Sequence, residues 1–174
     1  MYGTERTAPR GQGRCSVTAS PTAPADILLL NGPNLGTLGR RQPEIYGSTT
    51  LAQVEEAVAR RLRPHGFGLR AEQHDCEGEL IRALDRHRDT AAAIVNPGAL
   101  MIAGWSLRDA LADYPAPWAE VHISNVWARE EFRHNSVVSP LAVGVIAGFG
   151  VHGYELAADA LVHRLRRGAA GATG

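Results

Sequence analysis

A chain of 174 residues, 44% of them hydrophobic, can bury one sizeable core, so a single domain is expected. Its 18 Lys+Arg balance 18 Asp+Glu at a pI near 7.1, which removes any general electrostatic case for nucleic acid or an anionic membrane as partner. No lysine occurs, so every basic charge is arginine and Schiff-base catalysis has no amine to use.

Residues 1–25 are rich in Gly, Pro, Ser, Thr, Ala and Arg and carry no apolar stretch of signal-peptide length; a disordered extension is expected there. No run of about 18 apolar residues occurs, so no membrane span is expected. Cys15 and Cys76 make no CxxC and no zinc-type spacing with histidine, and read as reduced thiols of a cytoplasmic protein. The domain proper is expected over 26–167, with a flexible tail from 168 to 174.

The first element is an apolar strand over 27–31. The loop that follows, 31–47, holds three interior glycines and two prolines, which prevent an immediate helix, and it ends on Arg40, Arg41, Tyr46 and Gly47. A long loop at a strand's carboxyl end is where open α/β sheets bind ligands, so this one reads as a lid over a site. Thr50 caps a helix over 51–63, with Leu51, Val54, Ala57, Val58 and Leu62 on one face. A shorter, more polar strand over 67–73 follows, then a helix over 77–87, an apolar strand over 91–96 and a helix over 103–114. A strand over 118–124, at most one helical turn at 130–132, a strand over 143–147 and a closing helix over 154–166 complete the chain. Five strands with intervening helices imply an α/β fold, and right-handed crossovers favour a flavodoxin-like three-layer sandwich with a five-stranded parallel sheet.

In that fold the loops 31–47, 96–102 and 122–133 meet on one edge. Alternation along the fourth strand puts Glu120, His122 and Ser124 on one side. A lone strand-end histidine is ordinarily structural; one flanked by a carboxylate that fixes its proton, at the sheet's ligand-binding edge, reads as a general acid. Arg40, Arg41, Arg129 and Arg133 gather around the same edge and suit a carboxylate ligand. Phosphate would suit them too, but neither GxxxxGK[ST] nor GxGxxG is present. Nearby guanidinium groups also stabilise a phenolate, which makes Tyr46 a candidate base. His152 and Tyr154 read as surface and packing residues. Trp105 and Trp118 read as core or interface, Trp105 being the better candidate for lining a site.

The motifs Asn31-Gly-Pro-Asn-Leu-Gly, Arg41-Gln-Pro-Glu-Ile-Tyr-Gly, Asn96-Pro-Gly-Ala, Glu120-Val-His-Ile-Ser-Asn and Arg129-Glu-Glu-Phe-Arg, in this order from about residue 27 to 165, together resemble type II 3-dehydroquinate dehydratase. The resemblance implies a flavodoxin-like subunit without cofactor or metal, assembled through trimers into a dodecamer. It implies anti elimination of water from 3-dehydroquinate through an enolate. Tyr46, assisted by Arg41, would remove the C2 proton; Asn34 would hold a water that stabilises the enolate; His122, oriented by Glu120, would protonate the departing hydroxyl. Asn96, Ser124 and the backbone of Ile123, beside Gly98 and Arg129, would hold the substrate carboxylate, Arg133 would reach ring hydroxyls, and Asp109 would serve a neighbouring subunit's site.

After Asn96-Pro-Gly-Ala99 the family usually continues Tyr-Thr-His-Thr-Ser, where this chain has Leu100-Met-Ile-Ala-Gly104. Ile102 thus stands where a histidine holds substrate hydroxyls, Trp127 where another histidine is common, and Asn135, His74 and Cys76 differ as well. An unpartnered buried hydroxyl costs about 1–3 kcal/mol. Three readings follow: an ordinary dehydroquinase, a diverged enzyme with the same proton chemistry on a less hydroxylated substrate, and a binding protein without turnover.

Overall fold

The computed structural model of the chain describes residues 25–40 and 48–171. Strand β1, Asp26–Asn31, is buried from its second residue onward, as its Ile-Leu-Leu-Leu run requires. Helix α1, Leu51–Leu62, starts on a capping box: Thr50 N donates to Gln53 Oε1 at 2.9 Å and Gln53 N to Thr50 Oγ1 at 3.3 Å. It ends in a 3-10 turn, Arg63–His65, one residue earlier than the sequence spacing predicts. Strand β2, Gly68–Gln73, and helix α2, Glu77–Arg86, lead to the fully buried β3, Ala92–Asn96.

The loop expected over 96–102 ends in a short helix, α3 (Leu100–Ala103), and the helix expected over 103–114 is the shorter α4 (Trp105–Ala112). Gly104 makes the break, leaving helical geometry at ψ 66° so close to the preceding turn that a Cβ there would lie 2.7 Å from the Leu100 carbonyl oxygen. Strand β4, Trp118–His122, is wholly buried but stops two residues short of the expected end. Strand β5, Gly144–Ala147, and helix α5, His152–Gly171, close the chain. The helix runs on through Gly168 to Gly171, where a tail was expected to begin; each of these two glycines costs a helix only about 1 kcal/mol. The extension expected over 1–25 lies, apart from Ala25, outside the described residues. Among the described residues no helix is long and apolar enough to cross a membrane.

All strand pairs are parallel and the order is β2-β1-β3-β4-β5, the flavodoxin-like arrangement. The pleat divides the core in two. Ile27, Leu29, Ile94 and Val121 pack against Val54, Val58 and Leu62 of α1 and Tyr154, Ala157 and Leu161 of α5. Leu28, Leu30 and Val95 pack against Leu80 and Leu84 of α2 and Leu107 and Leu111 of α4.

The polar strand β2 lies at the edge, where its charged residues form a cluster. Glu72 receives His74 Nε2 at 2.6 Å, His87 Nε2 at 2.5 Å and Arg86 Nη2 at 2.5 Å. Burial pushes the Glu72 carboxyl up, but hydrogen bonds from Arg86, His74 and His87 outweigh it and hold it at about 2, below the ordinary 4.5. A depressed carboxyl stabilises the fold above its unfolded value and loses that contribution as pH falls toward the folded one. Glu72→Gln should therefore lower the free energy of urea unfolding by about 1–2 kcal/mol at pH 7. The gap to the wild type should close between pH 4.5 and pH 2; a gap that stays constant over that range would show that the charge contributes nothing.

Candidate active site

Among the described residues the buried polar side chains are Asn31, Thr90, Asn96, Glu120 and His122, and four of these five lie on the carboxyl half of β1, β3 and β4. Buried polar groups persist only when partnered, so their partners define what this edge is built to do. Asn31 pairs with Asn96 across β1 and β3, on the face that packs against α5. There the Tyr154 hydroxyl donates to Asn31 Oδ1 at 2.8 Å and accepts from Asn96 Nδ2 at 2.7 Å. Burial raises the Tyr154 phenol well above its ordinary range, so it acts as a protonated bridge and not as a base. Asn96 Oδ1 also accepts from Gly98 N at 3.1 Å, which leaves Asn96 one N–H for a ligand.

Glu120 and His122 project from the opposite face of β4. His122 Nε2 lies 2.6 Å from Glu120 Oε1, as their spacing predicts. Glu120 is fully buried, and its carboxylate also accepts from Ser136 Oγ at 3.4 Å and from Ser139 Oγ in a short contact. With Nε2 held by the carboxylate, Nδ1 is the ring nitrogen left to exchange a proton with a ligand.

The cavity above His122 measures about 230 Å³. Its polar lining is Asn34, Thr37, Asn96, His122, Ser124, Arg129 and Arg133, and its apolar lining includes Leu38, Met101 and Val126. Gly98 and Ile123 line it as well, while Glu120 stands behind His122. Arg129 Nη1 reaches Ser124 Oγ at 3.4 Å, and Arg133 Nε donates to Glu130 Oε2 at 2.7 Å with its guanidinium 4.7 Å over the Phe132 ring. The Arg133 guanidinium holds the Glu130 carboxyl below the ordinary range, so Glu130 stays ionised. Arg129 also lies 3.6 Å from Glu130, so two guanidinium groups stand together at the mouth of the cavity, where they can receive an anion. The 3-10 turn behind it is Glu131–Arg133, one residue later than expected.

The loop after β1 is anchored before it reaches its far end. Gly32 N donates to Asn96 O at 2.7 Å, and a Cβ on Gly32 would lie 2.6 Å from Pro97 O, so only glycine fits. Asn34 is left-handed at φ 70°, with its N–H on Asp75 Oδ1 at 2.8 Å, and the loop then makes a 3-10 turn, Leu35–Thr37, instead of staying irregular. Gln73 Nε2 bonds both Gly32 O and Asp75 Oδ1. Arg41, Tyr46 and Gly47 lie outside the described residues. Arg40 is exposed and does not line the cavity, contrary to its expected place among the clustered arginines.

The expectations for Ile102, Trp105 and Tyr154 are corrected, while those for Asp109, Trp118 and His152 are not contradicted. Ile102 does not line the cavity: it is half-buried against the α2–α4 side of the core, and its neighbour Met101 takes the inward place, because the one-turn helix α3 can aim only one of them at the site. Asp109 is exposed on α4, outside its own chain's cavity. Trp105 is 62% exposed and lines nothing, because it starts the new helix after Gly104; Trp118 is core. Trp127 is also exposed. His152 is exposed as expected, whereas Tyr154 is a brace of the site and not plain packing. Two signals for the missed residues were present in the chain. A tyrosine on the inner face of a helix needs a partner for its hydroxyl, and Ser139 is the polar interruption of the apolar stretch over 137–147, with Ser136 at its start.

Residues 25–162 match the sequence profile of the family described as Dehydroquinase class II. The chain is 54% identical over 143 residues to 3-dehydroquinate dehydratase 2 of Corynebacterium efficiens, covering 80% of this chain and 99% of that one. It is 54% identical over 140 residues to 3-dehydroquinate dehydratase of Corynebacterium pseudotuberculosis, covering 79% and 96%. Its fold is similar to the crystal structure of type II dehydroquinase from Propionibacterium acnes, with TM-score 0.75, 44% identity and coverage of 79% and 96%.

Proposed function

The chain belongs to the type II dehydroquinase family, and from that premise we infer that it is a hydro-lyase converting 3-dehydroquinate to 3-dehydroshikimate and water. The observation that carries the mechanism is the buried Glu120–His122 pair, 2.6 Å apart, opening on a cavity whose mouth holds Arg129 and Arg133. In the proposed reaction the Tyr46 phenolate, stabilised by Arg41, takes the C2 proton. The electron pair of the broken C–H bond passes into the carbonyl as an enolate, steadied by a water on Asn34. The enolate then collapses and expels the C1 hydroxyl, which leaves as water with a proton from His122. Tyr46 and His122 end with exchanged protonation, which solvent restores. Ser124, the backbone of Ile123 and the remaining N–H of Asn96 receive the substrate carboxylate in this scheme, with Arg129 beside them.

Assembly through trimers belongs to the same proposal. Asp109 and the exposed Trp105 sit four residues apart on one face of α4, where a neighbouring subunit would cover both. So does the cytoplasmic location, for which the exposed unpaired thiol of Cys76 is the support.

Incubation with 3-dehydroquinate, followed by the rise of enone absorbance, tests the activity. Steady turnover is expected, and none at micromolar enzyme would end the proposal. Sedimentation of the same sample should give a multiple of three, and a monomer would discard the assembly.

A further inference from the structure

Glu120 has no solvent contact at all, so every partner of its carboxyl oxygens must come from the protein. Besides His122, its hydrogen-bond partners among the described residues are two hydroxyls of one turn. Ser139 Oγ donates to Oε2, the oxygen that His122 does not use, and Ser136 Oγ donates to Oε1 at 3.4 Å. Ser136 Oγ in turn accepts from Val138 N at 3.2 Å and Ser139 N at 3.0 Å, which fixes the turn that presents Ser139. The same segment is tied to the rest of the site by Val137 N on Met101 O at 2.7 Å and by His134 Nε2 against Arg129 O at 3.2 Å. The chain thus leaves β4 after His122, carries Arg129 and Arg133 past the cavity mouth, and returns to grip the carboxylate behind the same histidine.

We propose that Ser139 is a positioning residue for proton delivery by His122, acting through Glu120, with Ser136 holding Ser139 in place. This rests on the reading of His122 as the acid. The physical argument concerns one bond on one oxygen. If Oε2 lacks its donor, the carboxylate either turns to share His122 between its oxygens or takes up a proton itself. In both cases the imidazole loses its fixed direction toward the cavity. The pair with a neutral histidine and a bare carboxylate suffers more from losing the donor than the pair with imidazolium, so the proton should be held to higher pH.

The test compares Ser139→Ala, Ser139→Cys and Ser139→Thr with the wild type. In Ser139→Ala kcat for 3-dehydroquinate should fall about tenfold or more with KM within about twofold. The basic limb of its kcat pH profile should move up by about half a unit to one unit. Ser139→Cys, nearly the same size but a poor donor, should behave like Ser139→Ala, and Ser139→Thr, which keeps the hydroxyl, should recover most of the loss. Nitrogen-15 NMR titration of the His122 ring in the ligand-free protein gives a readout independent of turnover, and its midpoint should move in the same direction. Wild-type kcat and a superimposable His122 titration in Ser139→Ala would overturn the proposal while leaving His122 as the acid. Should Ser139→Ala fail to fold, the same two measurements on Ser139→Cys decide the matter. A wild-type enzyme that does not turn over 3-dehydroquinate removes the mechanism above, whatever the titrations show.

Discussion

Replacing His122 by alanine should lower kcat for 3-dehydroquinate by about 10²–10⁴-fold, with KM changed only a few-fold. The magnitude follows from what leaves with the ring. Hydroxide is a poor leaving group, and the acid that converts it to water must lie within hydrogen-bond reach and be aimed before the reaction begins. His122 meets the second demand through a single bond of 2.6 Å to a carboxylate that cannot move, because Glu120 is held by two serines as well. KM should change little because Arg129, Arg133, Ser124 and Asn96 remain in place at the cavity wall. Steady-state kinetics across pH 5–9 checks both halves of the expectation. A variant within tenfold of wild type would place the acid elsewhere. A large rise in KM with intact kcat would recast His122 as a binding group. His122→Ala also leaves the Glu120 charge buried without its basic partner, so its melting temperature belongs in the same experiment.

Tyr154→Phe should destabilise the fold by about 2–6 kcal/mol and weaken activity at a distance from the substrate. The Tyr154 hydroxyl is the shared partner of two fully or nearly fully buried asparagines, donating to one and accepting from the other. Phenylalanine fills the same volume, so packing of the ring against Ala157, Ala158 and Leu161 should survive. What is lost is polar: Asn31 Oδ1 and Asn96 Nδ2 each lose a partner that water cannot replace, at about 1–3 kcal/mol apiece. Among the described residues Asn31 Nδ2 already lacks a partner, so the site has no slack on that side. Asn96 also anchors the Gly98 backbone, and its reorientation should raise KM more than it lowers kcat. Urea unfolding with a loss under about 0.5 kcal/mol would show that the bridge carries no net stability.

The two variants act through opposite faces of the sheet, which is why one is chemical and the other structural. Asn31 and Asn96 share the parity of Ile27, Leu29 and Ile94 and turn toward α5. Glu120 and His122 have the other parity on β4 and turn toward the segment that returns with Ser136 and Ser139. The cavity lies where the two sets meet at the carboxyl edge.

The sequence by itself determined the five-stranded parallel sheet, its flavodoxin-like class and the Glu120–His122 pair. Those depend on short-range rules: apolar runs that tolerate only a buried strand, crossovers of one hand, and a two-residue alternation that puts residues 120 and 122 side by side. It also held the motifs that carry the family, because a loop pinned by Gly32 and Asn34 is written in local backbone preference. Tertiary structure alone decided the rest. Whether residue 101 or 102 faces the cavity turns on a break at Gly104 that amphipathic spacing does not register, so the side of the site assigned to Ile102 belongs to Met101. Tyr154 lies 123 residues from Asn31 and 58 from Asn96, and Ser139 lies 19 from Glu120. A buried polar group finds its partner in space, and periodicity along a chain carries no information about that distance.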